Sequence, residues 1–141
     1  MKRVYLASPF FNNKEIEYLE QVEAILEEKG LQVFSPFRNP IDEQVEVGSR
    51  QWSIETFMKD IKYIKWAELV VAIYHGNYSD SGTAWELGYA FATGMPVILI
   101  HVGENSNLMV HEGAHANITL EELRDYDFTQ LASSFYTGDM L

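Results

Sequence analysis

Between residues 3 and 101 the chain alternates short, almost unbroken apolar runs with longer stretches in which apolar residues return every three or four positions. The runs are Val4-Tyr5-Leu6-Ala7, residues 31–34, residues 68–74 with Leu69-Val70-Val71-Ala72-Ile73, and residues 96–101 with Val97-Ile98-Leu99-Ile100. Between them, residues 13–29 carry Ile16, Leu19, Val22, Ile25 and Leu26 at helical spacing, with Asn12 or Asn13 to cap them and Gly30 to end them. Residues 49–66 carry Trp52, Ile54, Phe57, Ile61 and Ile64, and residues 83–93 form a third helical stretch closed by Gly94. A strand that is apolar without alternation is buried on both faces, which requires a parallel sheet covered by helices above and below. The pattern therefore predicts an α/β fold: a doubly wound, flavodoxin- or Rossmann-like parallel sheet of about five strands with helices on both faces. Residues 39–48, 75–82 and 103–107 read as loops and residues 119–124 as a short helix. No repeat or linker divides residues 1–141, which read as one domain.

In such folds ligands bind beyond the C-terminal ends of the strands, where the winding reverses. That directs attention to residues 8–11, 36–39, 75–82 and 102–107. Composition narrows what could bind there. With 10 Lys+Arg against 21 Asp+Glu the net charge is −11, which argues against nucleic acid or anionic lipid as the main partner but not against an uncharged nucleoside. The absence of cysteine rules out a disulfide scaffold or a thiol nucleophile. No apolar run approaches a membrane span and the N-terminal apolar stretch is too short for a signal peptide, so the expected location is the cytoplasm. Nothing matches a Gly-rich phosphate loop.

Three constellations could carry chemistry. Asp80-Ser81-Gly82-Thr83-Ala84-Trp85-Glu86 follows a strand and opens a helix, which would put Glu86 in the first turn, where the helix dipole favours an ionised carboxylate fit to be a nucleophile. The same letters also read as a Thr83-x-x-Glu86 capping box with no chemistry. Asp60 lies on the preceding helix; beside Lys59 it reads either as a solvated surface acid or, with a second carboxylate in the same cleft, as the acid of a glycosidic-bond-cleaving pair. His111-Glu112-Gly113-Ala114-His115 matches H-E-x-x-H, a zinc motif when helical, but Gly113 weakens the helix it needs, and no metal is expected. Phe10 and Phe11 sit just past the first strand, where a flat base could stack.

These residues together resemble the nucleoside 2-deoxyribosyltransferase family. The likeness runs through Val4-Tyr5-Leu6-Ala7-Ser8-Pro9-Phe10-Phe11, Trp52 eight residues before Asp60, Asp80 six residues before Glu86, Glu86-Leu87-Gly88-Tyr89-Ala90, Asn107-Leu108-Met109 and Phe135-Tyr136. The resemblance implies transfer of 2-deoxyribose between purine or pyrimidine bases through a covalent sugar–enzyme ester, without cofactor or metal. It implies Glu86 as nucleophile, Tyr5 as the hydroxyl that orients it, and Asp60 as the acid that protonates the departing base. Asp80 would hold a sugar hydroxyl, and Asn107 would complete the 5′-hydroxyl pocket of a neighbouring subunit. Phe11 and Trp52 would wall the pocket, with Met109, Gly82 and Asn39 as further substrate contacts. The implied partners are 2′-deoxynucleosides and free nucleobases, and the implied assembly is a hexamer, a trimer of dimers with shared sites. Whether a C-terminal carboxylate, here that of Leu141, enters the site varies within the family.

Two other functions compete. A 2′-deoxynucleoside 5′-monophosphate N-hydrolase would use the same glutamate with water as acceptor, but should carry serines rather than Asp80 and Asn107 around the 5′ position. A non-catalytic nucleotide-binding α/β module would have no reason to gather Tyr5, Asp60 and Glu86.

Overall fold

The computed structural model describes residues 2–76 and 80–140. Its elements in chain order are β1 (Arg3–Ala7), α1 (Asn13–Glu28), β2 (Gln32–Phe34), a 3-10 turn (Pro36–Arg38), α2 (Arg50–Trp66), β3 (Leu69–Tyr74), α3 (Ser81–Ala92), β4 (Val97–His101), β5 (Asn105–Ser106), α4 (Leu108–Glu112), β6 (Ala116–Thr119), α5 (Leu120–Leu123) and β7 (Asp139–Met140). The main sheet has the order β2-β1-β3-β4-β6 and every pairing in it is parallel. The winding reverses between β1 and β3, so the switch point lies at the C-terminal ends of those two strands.

Strand periodicity sorts the core into two halves. Val4 and Leu6 point with Val71 and Ile73 toward α1 and α5, meeting Leu19, Val22, Leu26 and Leu123. Tyr5 and Ala7 point with Val70 and Ala72 to the opposite face, meeting Ile64 of α2 and Leu87 and Ala90 of α3. All six residues of β3 are buried, which explains its unbroken apolar run. Helix α1 begins where Asn12 accepts the Glu15 N–H and stops at Gly30, whose φ of +82° suits glycine. A ring ladder joins the sheet to α2: Tyr5 stacks on Phe34 at 5.9 Å, and Phe34 on Tyr63 at 3.7 Å.

The structure departs from the sequence expectations in four places. Residues 116–119 form the fifth sheet strand, β6, which was expected by number but not located. Residues 103–107 are not wholly loop, because Asn105–Ser106 pairs in parallel with Asp139–Met140. Helix α3 begins at Ser81 rather than residue 83, because Asp80 caps it. On α2 only Ile64 of the expected apolar positions is buried; Ile54 and Phe57 are half exposed, so that stripe faces outward rather than into the core. The expected 75–82 loop includes residues 77–79, which lie outside the described residues, as does Leu141.

The open edge of β6 is met by a side chain. Ser134 Oγ accepts the Asn117 N–H and donates to the Asn117 carbonyl, both at 2.9 Å, while Asn117 Nδ2 donates to the Ser134 carbonyl at 3.1 Å. Farther along, Tyr136 packs between His101 and His111, with ring centroids 4.5 and 4.8 Å away.

Candidate active site

The alternation of β1 turns Tyr5 toward α2 and α3 and buries it completely. Its hydroxyl donates a hydrogen bond to Glu86 Oε2. Counting from the Asp80 cap, Glu86 stands in the second turn of α3, not the first. The Thr83-x-x-Glu86 capping box is therefore absent: Asp80 takes the Gly82 N–H at 3.2 Å, the Thr83 N–H at 3.1 Å and the Thr83 hydroxyl at 3.2 Å. Gly82 leaves room for this, since a Cβ there would lie 3.1 Å from Asp80 Oδ2.

The expected electrostatics of Glu86 change with its position. The dipole effect fades beyond the first turn, and burial takes over. Burial pushes its pKa up to about 7; the Tyr5 hydrogen bond pulls the other way, and the Asp60 and Asp80 charges push further up. Tyr5 is itself raised, by burial and then by the Glu86 and Asp60 charges, and stays a protonated donor.

Asp60 reaches the same corner from α2, one turn before Tyr63 in the ring ladder. It is no surface acid: Oδ1 is buried without a hydrogen-bond partner, and its nearest cation, Lys59 Nζ, is 3.7 Å away. Burial raises its pKa, and Lys59 opposes the rise. Lys59 also donates to the Asn39 carbonyl, a contact with no signal in the sequence beyond adjacency to Asp60.

A second group of expected residues gathers elsewhere. A groove of about 820 Å³ between α3 and α4 is lined by Asp80, Ala84, Gly88, Asn107 and Met109, but not by Tyr5, Asp60 or Glu86. Asn107 caps α4 by accepting the Met109 N–H at 2.9 Å, and its own N–H donates to the Tyr74 hydroxyl at 3.2 Å, a partner the sequence did not flag. Met109 is highly exposed. Asp80 thus borders the groove while its charge still reaches Glu86.

The remaining aromatic and loop candidates make local contacts. Phe11 is 78% exposed and stacks on Phe10, which tilts against Phe37. Trp52 lies in the first turn of α2, its N–H bonded to Ser49 Oγ. The Asn39 side chain is occupied locally, donating to the Ser35 carbonyl at 2.8 Å.

The H-E-x-x-H segment does not form the zinc geometry. Helix α4 ends at Glu112 with Gly113 as its cap, so His115 lies outside it. His111 is buried with Nδ1 2.8 Å from Ser106 Oγ, and His115 Nε2 is 2.6 Å from the Leu131 carbonyl. Among the described residues no group of three or more His, Asp or Glu is placed to hold a metal. No helix among them is long and apolar enough to cross a membrane.

Comparison with known proteins gives a consistent picture. Residues 4–120 match the family described as "Nucleoside 2-deoxyribosyltransferase". A nucleoside deoxyribosyltransferase of Lactobacillus johnsonii is 32% identical over 70% of this chain and 69% of its own. That of Lactobacillus leichmannii is 26% identical over 97% of this chain and 96% of its own. The solved 2-deoxyribosyltransferase of Bacillus psychrosaccharolyticus superposes with a TM-score of 0.89 at 39% identity, covering 96% of this chain and 99% of that one.

Proposed function

The chain belongs to the nucleoside 2-deoxyribosyltransferase family, and from that premise we propose that it moves 2-deoxyribose between nucleobases through an ester of the sugar with Glu86. The observation that carries this reading is the buried Tyr5–Glu86 hydrogen bond with the Asp60 carboxyl in electrostatic reach of both. Two carboxyl groups with raised pKa values in one corner share protons as a pair, so one can attack while the other donates.

In the first half-reaction a Glu86 carboxylate oxygen attacks C1′. The C1′–N bond breaks, its electron pair leaves on the base, and the Asp60 carboxyl supplies the proton that neutralises it. Tyr5 holds Oε2 so that the other oxygen faces the sugar. In the second half the incoming base gives a proton to the Asp60 carboxylate and attacks C1′; the ester C1′–O bond breaks and returns the Glu86 carboxylate. Two inversions give net retention. A deoxyribose lacks the electron-withdrawing 2′-hydroxyl, which eases positive charge onto C1′, so this pair needs no further catalyst.

Asp80 accepts a sugar hydroxyl, with Gly82 beside it. Phe11 and Trp52 flank the base, and Asn39 sits at the edge of its pocket. Asn107 and Met109 serve the site of a neighbouring copy, a reading supported by a groove that contains them without Glu86. The proposed assembly is a hexamer, a trimer of dimers, and the exposed Phe57, Met58, Trp85 and Phe91 on α2 and α3 are the surface it would cover.

Deoxyinosine incubated with and without adenine, with products followed by chromatography, tests the reading. Deoxyadenosine forming only when adenine is present is the expected result. Deoxyinosine left intact while its 5′-monophosphate is split to hypoxanthine and deoxyribose 5-phosphate would indicate the N-hydrolase, and no turnover of either a binding module.

A further inference from the structure

Lys59 is adjacent in sequence to Asp60 but contacts more than its neighbour. Its side chain is only 18% exposed, unusual for a lysine on a helix. The ammonium donates to the Asn39 carbonyl and lies 3.7 Å from Asp60 Oδ1, the atom that is buried with no hydrogen-bond partner. Asn39 in turn ties back to the Ser35 carbonyl at the end of β2. One cation thus joins the start of the irregular 39–48 segment to a half-buried carboxyl.

We propose that Lys59 is a positioning residue for base exchange: its ammonium fixes the entrance of the 39–48 segment against α2 and sets how readily Asp60 gives and takes the base proton. This rests on the reading of Asp60 as the base-side acid. The groups facing Asp60 from other elements are Tyr5 on β1 and Glu86 on α3, with Asp80 behind Glu86; each is neutral or negative. Among the described residues, Lys59 is the cation that opposes the burial of Asp60. Without it, Asp60 would hold its proton too firmly to recover it from an incoming base and release it again in each cycle. With it, the carboxyl stays able to cycle. The backbone contact explains why the charge stays at this depth: a lysine free to rotate would carry its ammonium out to water.

The test measures kcat/KM against pH for exchange between deoxyinosine and adenine, using the full chain and the variants Lys59→Met, Lys59→Arg, Asp60→Asn and the double variant Lys59→Met/Asp60→Asn. Removing a cation near a carboxylate raises its pKa by about one unit, so Lys59→Met should move the centre of the bell-shaped profile up by roughly half a unit, whichever limb belongs to Asp60. Lys59→Arg should restore the centre. In the Asp60→Asn background, Lys59→Met should displace nothing. A uniform loss at every pH for Lys59→Met, with Asp60→Asn slowing poor leaving groups most, would overturn the role of Lys59 and leave Asp60 as the acid. An Asp60→Asn variant that slows good and poor leaving groups alike would instead overturn the reading of Asp60. If Lys59→Met does not fold, Lys59→Gln and the Arg variant carry the same comparison.

Discussion

Glu86 bears a stability penalty as well as a proposed reaction. Its carboxyl titrates at about 7 in the folded chain against 4.5 unfolded. A raised carboxyl pKa means the folded state binds the proton more tightly, so the contribution is favourable below pH 4.5 and is lost as pH climbs to 7. The loss is on the order of 3 kcal/mol. Glu86→Gln should therefore abolish exchange by several orders of magnitude yet raise the melting temperature at pH 8 relative to the parent chain, with little difference at pH 4.5. A variant that is inactive and equally destabilised at both pH values would mean Glu86 is structural. Asp60→Asn can still hydrogen-bond a base but cannot protonate it. It should lower kcat more than it raises KM, and it should spare substrates with nitrophenyl-type leaving groups. Equal losses for all leaving groups would deny it the proton-transfer role.

At the level of elements, the His111 and His115 side chains are spent on Ser106 and the Leu131 carbonyl. Incubation with a chelator should leave exchange activity unchanged; activity lost and then restored by zinc would revive the metal reading. The same region shows why some elements were legible and others were not. β3 and β4 announced themselves because burial on both faces leaves no polar position before His101 at the end of β4, whereas β6, Ala-Asn-Ile-Thr, is an edge strand whose Asn117 bonds His101 and Ser134. Its four residues also follow a motif weighed for metal binding rather than for strand formation. The start of α3 was misplaced because Asp80 and Thr83 are both good caps three residues apart, and only three-dimensional bonding shows which one the helix uses. The outward stripe of α2 has helical period, which specifies a helix but not which neighbour covers it. Asp60 could be singled out as an acid but not paired, and the role of Tyr5 came only through likeness to a family; local spacing gave no reason to bring β1 and α2 to one corner.

At the scale of the molecule, charge decides between nucleoside and nucleotide. A 5′-phosphate beside Asp80 would meet like charge at close range, and the net charge of −11 adds to it. No Lys or Arg lies in residues 75–82 or 102–107 to compensate. Deoxyadenosine should have a far higher kcat/KM than its 5′-monophosphate, and Asp80→Ser should narrow the gap; parity in the parent chain would favour the N-hydrolase. Assembly is testable on the same scale. Phe57 and Trp85 meet edge to face at 5.4 Å on an exposed surface. Trp85→Glu should shift the particle to smaller mass in light scattering and lower exchange by at least about tenfold if a neighbour's Asn107 is needed. Unchanged mass would remove that surface from the interface. The bonds that Ser134 makes to Asn117 span 17 residues, and they imply an order of events in refolding. β6 can pair with β4 before the segment carrying Ser134 folds back over its edge. For that interval the sheet carries an unguarded strand open to another molecule, so refolding yield should fall with rising protein concentration, and fall further for Ser134→Ala, by aggregation.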